Sequence, residues 1–80
     1  MALQKTQPTL STVERLLDEV DEWYGRVQQA RQNLSRLPRG SGPYLDLLPD
    51  LEVELDVLRI KVEHAHDALE EFEESLPEED

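Results

Sequence analysis

Two apolar heptad repeats, separated by a segment rich in proline and glycine, constrain the fold of this chain most strongly. The a and d positions of the first repeat are all apolar: Val13, Val20, Val27 and Leu34 at a, and Leu16, Trp23, Ala30 and Leu37 at d. Those of the second are also apolar: Leu48, Leu55, Val62, Leu69 and Leu76 at a, and Leu51, Leu58, Ala65 and Phe72 at d. An apolar stripe with this period needs a partner helix to cover it. The sequence therefore predicts an all-α fold, a two-helix antiparallel coiled-coil hairpin.

Capping residues and helix breakers predict where the first helix begins and ends. Ser11 and Glu14 have the spacing of a capping box, in which each side chain bonds a backbone N–H at the helix start. Helix 1 is therefore expected over about residues 12–37. A proline and two glycines then predict a turn over residues 38–43, because glycine tolerates positive φ and proline disfavours helix before it.

The second helix is expected over about residues 46–75. Asp46 is the predicted cap, and Pro49 then lies in the first turn, where its missing N–H costs nothing. A separate short turn at residues 44–48, followed by a kink at Pro49, is the alternative. The predicted organisation is a flexible N-terminus (1–10), the helical hairpin (11–76) and an acidic tail (77–80).

Residues 51–62 also carry a pattern that is typical of a strand. Leu51, Val53, Leu55 and Val57 alternate with acidic residues, and the segment is rich in β-branched side chains. The heptad repeat nevertheless runs unbroken through this segment, and a lone strand would have no sheet to join. We therefore interpret the segment as helix.

A second apolar stripe on helix 2 predicts self-association. In a helix, Val53, Val57 and Ile60 lie at f and c positions, away from the stripe that faces helix 1. The hairpin cannot cover this second stripe, so we expect a second chain to do so and predict a homodimer that forms a four-helix bundle. The predicted interface also includes Trp23 and Tyr24. The predicted hairpin core comprises Val13, Leu16, Val20, Val27, Leu34, Leu51, Leu55, Leu58, Val62, Leu69 and Phe72.

Gly25 follows Trp23 and Tyr24 in the middle of the first heptad repeat. A glycine inside a helix costs about 1 kcal/mol relative to alanine, so its presence needs a reason. We expect it to let a neighbouring helix or a large side chain approach closely.

The charge of the chain is −11 and is unevenly distributed. Residues 1–43 carry six basic and five acidic side chains, whereas residues 44–80 carry two basic and fourteen acidic ones. Such a chain repels phosphate backbones and anionic lipid surfaces, so we expect neither nucleic-acid nor membrane binding. In an antiparallel dimer, the basic turn end of one hairpin lies beside the acidic open end of the other. A protein with a basic site or an apolar groove is a further candidate partner.

The absence of certain sequence features predicts the compartment. The chain has no cysteine, so a disulfide framework is excluded. It has no apolar run near the roughly 18 residues of a membrane span, and its first residues lack the apolar region of a signal peptide. We therefore expect a cytoplasmic protein.

The sequence contains no grouping that indicates catalysis, so we predict a non-enzymatic protein without a cofactor. His64 and His66 point about 200° apart on a helix and cannot share one metal ion. Glu63 and His66 do match the Glu-x-x-His spacing of ferritin-like di-iron helices, but they lie outside the heptad seam. We therefore predict no metal site and keep a ferritin-like metal-binding hairpin as a remote alternative.

The function that these observations favour is protein–protein interaction. We expect an assembly, adaptor or chaperone-type helical hairpin that acts as a homo-oligomer. The alternative is an acidic inhibitor or mimic whose second helix binds a basic site on another protein, since most of the negative charge lies there.

Overall fold

The computed structural model describes residues 8–76, and two long helices account for most of them. Helix α1 spans Leu10–Ser35 and helix α2 spans Gly42–Ser75. The two helices pack against each other as a hairpin, which confirms the predicted all-helical hairpin. Residues 1–7 of the predicted flexible N-terminus and the predicted acidic tail, residues 77–80, lie outside the described residues.

Helix α1 begins two residues earlier than expected because Thr9 caps it instead of Ser11. The Thr9 hydroxyl accepts a hydrogen bond from the Thr12 backbone N–H at 3.1 Å, and the Thr9 carbonyl accepts one from the Val13 N–H at 3.0 Å. Both Thr9 and Ser11 are residue types that favour this position. The earlier cap adds Leu10 and Ser11 to the helix.

The connection between the helices is a tight turn. The Ser41 N–H donates to the Pro38 carbonyl at 3.0 Å, and Gly40 between them has φ of +77°. A turn with positive φ at its third residue is type II, which strongly favours glycine there. Ser41 then caps α2, since its hydroxyl accepts from the Tyr44 N–H at 3.3 Å.

Helix α2 consequently begins four residues before the predicted start. Pro43 lies in its first turn, where the prediction placed Pro49, and Pro49 lies inside the helix. Pro49 cannot donate to the carbonyl four residues earlier, so one hydrogen bond of the ladder is missing there. Residues 51–62 are helical throughout, so the strand alternative is wrong.

The tightest packing lies toward the open end of the hairpin. Val13 on α1 and Ala65 and Ala68 on α2 are the buried residues of the described chain, with exposures of 2, 3 and 7 %. Two of these three buried side chains are small alanines. The other residues between the helices are half-buried, as expected for two helices without a third layer.

Gly25 lies on the exposed side of α1, and a Cβ added there would meet no atom within 4 Å. The close approach expected at this glycine is therefore not found within the hairpin. Gly25→Ala should raise the free energy of unfolding by about 1 kcal/mol, because alanine restricts the unfolded chain and favours helix. Thermal unfolding followed by circular dichroism at 222 nm measures this.

Gly40→Ala is the matched control for the glycine substitution. It should lower stability by about 1–2 kcal/mol, because its positive φ strains any residue with a Cβ. Equal effects of the two substitutions would contradict this account.

Candidate interaction surface

One stripe of α1 faces α2, and it follows the predicted heptad. Every predicted a and d residue of this helix is buried or half-buried in the structure. These residues are Val13, Leu16, Val20, Trp23, Val27, Ala30, Leu34 and, two residues beyond the end of the helix, Leu37. The Arg26 guanidinium lies 4.3 Å from the centre of the Trp23 ring, so it covers one face of that side chain.

Helix α2 faces α1 with a different pair of rows from the predicted pair. The row predicted at d does lie between the helices, but it is joined by a row containing two charged residues. The first row is Tyr44, Leu51, Leu58, Ala65 and Phe72, and the second is Leu47, Glu54, Lys61 and Ala68; all nine are buried or half-buried. In heptad terms the first row occupies a and the second occupies d.

The leucine-rich row predicted at a therefore occupies e, at the flank of the seam. Leu55 and Val62, which were predicted as core, are both 46 % exposed, and Leu48 and Leu76 are 39 % and 51 % exposed. Leu69 alone in this row is half-buried. Relative to the prediction, α2 is rotated by one heptad position, about 50°. Three adjacent rows of α2 carry apolar residues, but only two of them can face α1. The periodicity of the sequence does not say which two.

One of the two charged residues of the seam, Lys61, forms an ion pair between the helices. The Lys61 ammonium donates a hydrogen bond to Oε1 of Glu19 at 2.8 Å, and both side chains are about one-third exposed. This hydrogen bond, together with the charge of Lys61, holds the pKa of the Glu19 carboxyl below its ordinary value of 4.5.

The lowered pKa of Glu19 makes the contribution of this pair depend on pH. The contribution is fully present above pH 4.5 and is lost as the pH falls through the pKa of the folded state. Glu19→Gln should therefore destabilise the hairpin near neutral pH, and its difference from the wild type should disappear in acid. Urea unfolding at a series of pH values measures this. Glu22→Gln, at an exposed position on α1, is the control and should show a smaller difference.

Glu54 is the second charged residue of the seam, and it is incompletely paired. Its Oε2 atom is buried and has no hydrogen-bond partner. A buried oxygen without a partner opposes folding, because its lost hydration is not replaced.

Seven of the ten exposed large apolar side chains of the described residues lie on one side of the hairpin. A shallow groove on the other side is lined by Thr12 of α1 and His64 of α2, among others. On α1, Leu17 lies across the seam from Thr12, and on α2, Leu55 lies across the seam from His64. The e rows of the two helices therefore share a side. We call this surface the leucine face, which comprises Leu10, Leu17, Tyr24, Leu48, Leu55, Val62 and Leu76.

The residues that the sequence predicted as the interface lie in different places. Tyr24 is 53 % exposed on the leucine face, whereas Trp23 is half-buried between the helices. Val53 and Ile60 are 61 % and 44 % exposed at c positions, on the other side from the leucine face, and Val57 beside them is half-buried. The structure thus presents two separate apolar surfaces on α2, of which sequence reasoning identified only the smaller.

The histidine that matched the di-iron spacing contacts other residues. His66 Nδ1 lies 3.2 Å from Oε1 of Glu70 and 3.6 Å from Oδ1 of Asp67. These three exposed side chains could offer ligand atoms to one cation, and Glu63 is not among them. All three stand on the exposed surface of one helix. Contacts between neighbouring side chains on a helix surface account for their arrangement.

Across the part of the chain that the structure describes, no helix has the length and apolar character needed to cross a membrane. Comparisons with family models, with curated proteins and with solved structures found no match for this chain.

Proposed function

We propose that this chain is a non-enzymatic protein–protein interaction module that acts as a homodimer and forms a four-helix bundle. Such a module is an assembly, adaptor or chaperone-type hairpin, and it needs no cofactor. We place it in the cytoplasm, a reducing compartment that fits a chain without cysteine. Its partners are a second copy of itself and, through the assembled bundle, other proteins.

The observation that carries this proposal is the exposed apolar surface of the hairpin. Ten large apolar side chains of the described residues are at least 39 % exposed. Scattered exposed leucines are ordinary on a protein surface, but contiguous rows along two packed helices are typical of an interface. A two-helix hairpin also buries little core by itself, so association supplies the burial that it lacks.

Sedimentation equilibrium at micromolar concentration tests the proposal. A homodimer has twice the 9.3 kDa mass of the chain. A single species of 9.3 kDa across the whole concentration range would rule out self-association.

A second candidate function is an acidic inhibitor or mimic that binds a basic site on a partner protein. The observation in its favour is that the carboxylates of α2, apart from Glu54, are exposed. Binding through such exposed charges should weaken steeply as salt is raised, because counterions screen them. Binding through apolar side chains should persist. Capture of partners at low and at moderate ionic strength separates the two candidates.

A further inference from the structure

We propose that the leucine face binds the leucine face of a second copy, with the two hairpins antiparallel so that their turns lie at opposite ends of the bundle. This inference rests on the proposed self-association and names its surface and orientation. It also replaces the surface at Val53, Val57 and Ile60 as the site of dimerisation.

The first argument is the direction in which the apolar stripes point. In a four-helix bundle each helix packs against two neighbours, so its apolar stripe must be wider than one seam. On both helices the stripe extends from a and d to e, as Leu17 and Tyr24 do on α1 and as Leu55 and Val62 do on α2. Both extensions lie on one side of the hairpin. This is the arrangement of half of a four-helix bundle.

The second argument is the area available. The exposed side-chain surface of the leucine face amounts to roughly 600 Å², before half-buried neighbours such as Leu69 are counted. Each partner in a stable interface of ordinary size contributes about 800 Å². The leucine face therefore supplies most of the area that such an interface needs, whereas Val53, Val57 and Ile60 supply only three side chains.

The third argument is the distribution of charge, which selects the second copy and its orientation. The turn half of the hairpin, residues 26–54, holds four arginines and four carboxylates. The open half, residues 8–25 and 55–76, holds three basic and twelve acidic side chains. Two copies with their turns together would place the two acidic halves side by side. The antiparallel arrangement instead places each acidic half beside the arginines of the other copy.

The rim of the leucine face adds one specific pairing to this arrangement. Glu52 and Arg59 lie at equivalent positions on either side of Leu55 along α2, and both are exposed. When two antiparallel hairpins overlap along their full length, Leu55 lies near the twofold axis. Glu52 of one copy then faces Arg59 of the other.

A matched pair of substitutions tests which surface dimerises. Leu55 and Ile60 are 46 % and 44 % exposed on the same helix but lie on different sides of it. Leu55→Glu should raise the dissociation constant of the dimer by about a hundredfold or more, because a charge at the twofold axis must be desolvated. Ile60→Glu should change it by less than about threefold, as an exposed substitution does. Sedimentation equilibrium measures both.

The outcomes separate this inference from the proposed function. A wild-type protein that is monomeric overturns both. A dimer that survives Leu55→Glu but is lost in Ile60→Glu overturns the leucine face and leaves self-association standing. Loss of the dimer in both variants also overturns the inference, because an added charge would then dissociate the dimer on whichever side of α2 it lies.

A distance measurement on the folded wild-type surface tests the orientation without disturbing the leucine face. The chain contains no cysteine, so Ser35→Cys provides a single site for a spin label near the turn. In the antiparallel bundle, pulsed electron paramagnetic resonance should find the two labels about 30 Å apart, from the helical rise. A distance of about 15 Å, which is the diagonal of a bundle with both turns at one end, overturns the orientation.

Discussion

Ala65→Asp should unfold most of the hairpin, with the largest loss of stability that we expect from any single substitution. Ala65 is 3 % exposed and lies between the helices. An aspartate there must bury its carboxylate without a partner or push the helices apart. An uncompensated buried charge typically lowers the free energy of unfolding by about 3–5 kcal/mol. Urea unfolding followed by circular dichroism, at one protein concentration, measures this.

His66→Asp is the matched control for that substitution. It introduces the same side chain one residue further along α2, at an exposed position. It loses the surface contacts of His66 with Asp67 and Glu70 and adds the repulsion of a third exposed carboxylate beside them, so the expected change is about 0.5–1 kcal/mol. If the two variants were equally destabilised, Ala65 would not lie in a close-packed seam.

Glu54→Leu should make the hairpin more stable. If charges held the hairpin together, removing this carboxylate would instead make it less stable. The Oε2 atom of Glu54 is buried without a hydrogen-bond partner, and leucine removes it. It also supplies an apolar side chain at a d position of the seam. Relief of an unpaired buried polar group typically contributes about 1–3 kcal/mol. The midpoint and slope of urea unfolding measure this at fixed protein concentration.

Glu54→Gln distinguishes the burial of a polar atom from the charge of the carboxylate. Glutamine keeps the shape of the side chain and a buried polar atom but carries no charge. It should gain less than leucine, because its amide still needs partners in the seam. A glutamine variant as stable as the leucine variant would show that charge alone opposes folding at this position.

The ends of the helices show which features local sequence signals can predict. The turn was predicted from Pro38 and Gly40, and the structure places a type II turn there, because these residues act through their own backbone angles. The caps were less predictable. The prediction chose Ser11 and Asp46, whereas Thr9 and Ser41 cap the helices, and all four residues are of types that suit a helix start.

The sequence by itself determined that two helices form, that a turn joins them and which stripe of α1 faces the other helix. Each of these follows from spacing within one segment, and on α1 the a and d rows are the main apolar rows. Only the tertiary structure decided the rotation of α2 about its own axis.

On α2, the rows headed by Leu47, Leu48 and Tyr44 lie side by side, and a seam covers two of them. The choice depends on contacts across the hairpin, such as the burial of Ala65 and Ala68 and the ion pair of Lys61 with Glu19. Heptad spacing contains no information about such contacts. For that reason the sequence did not predict the exposed position of Leu55 or the leucine face. Both follow from the way the two helices pack together.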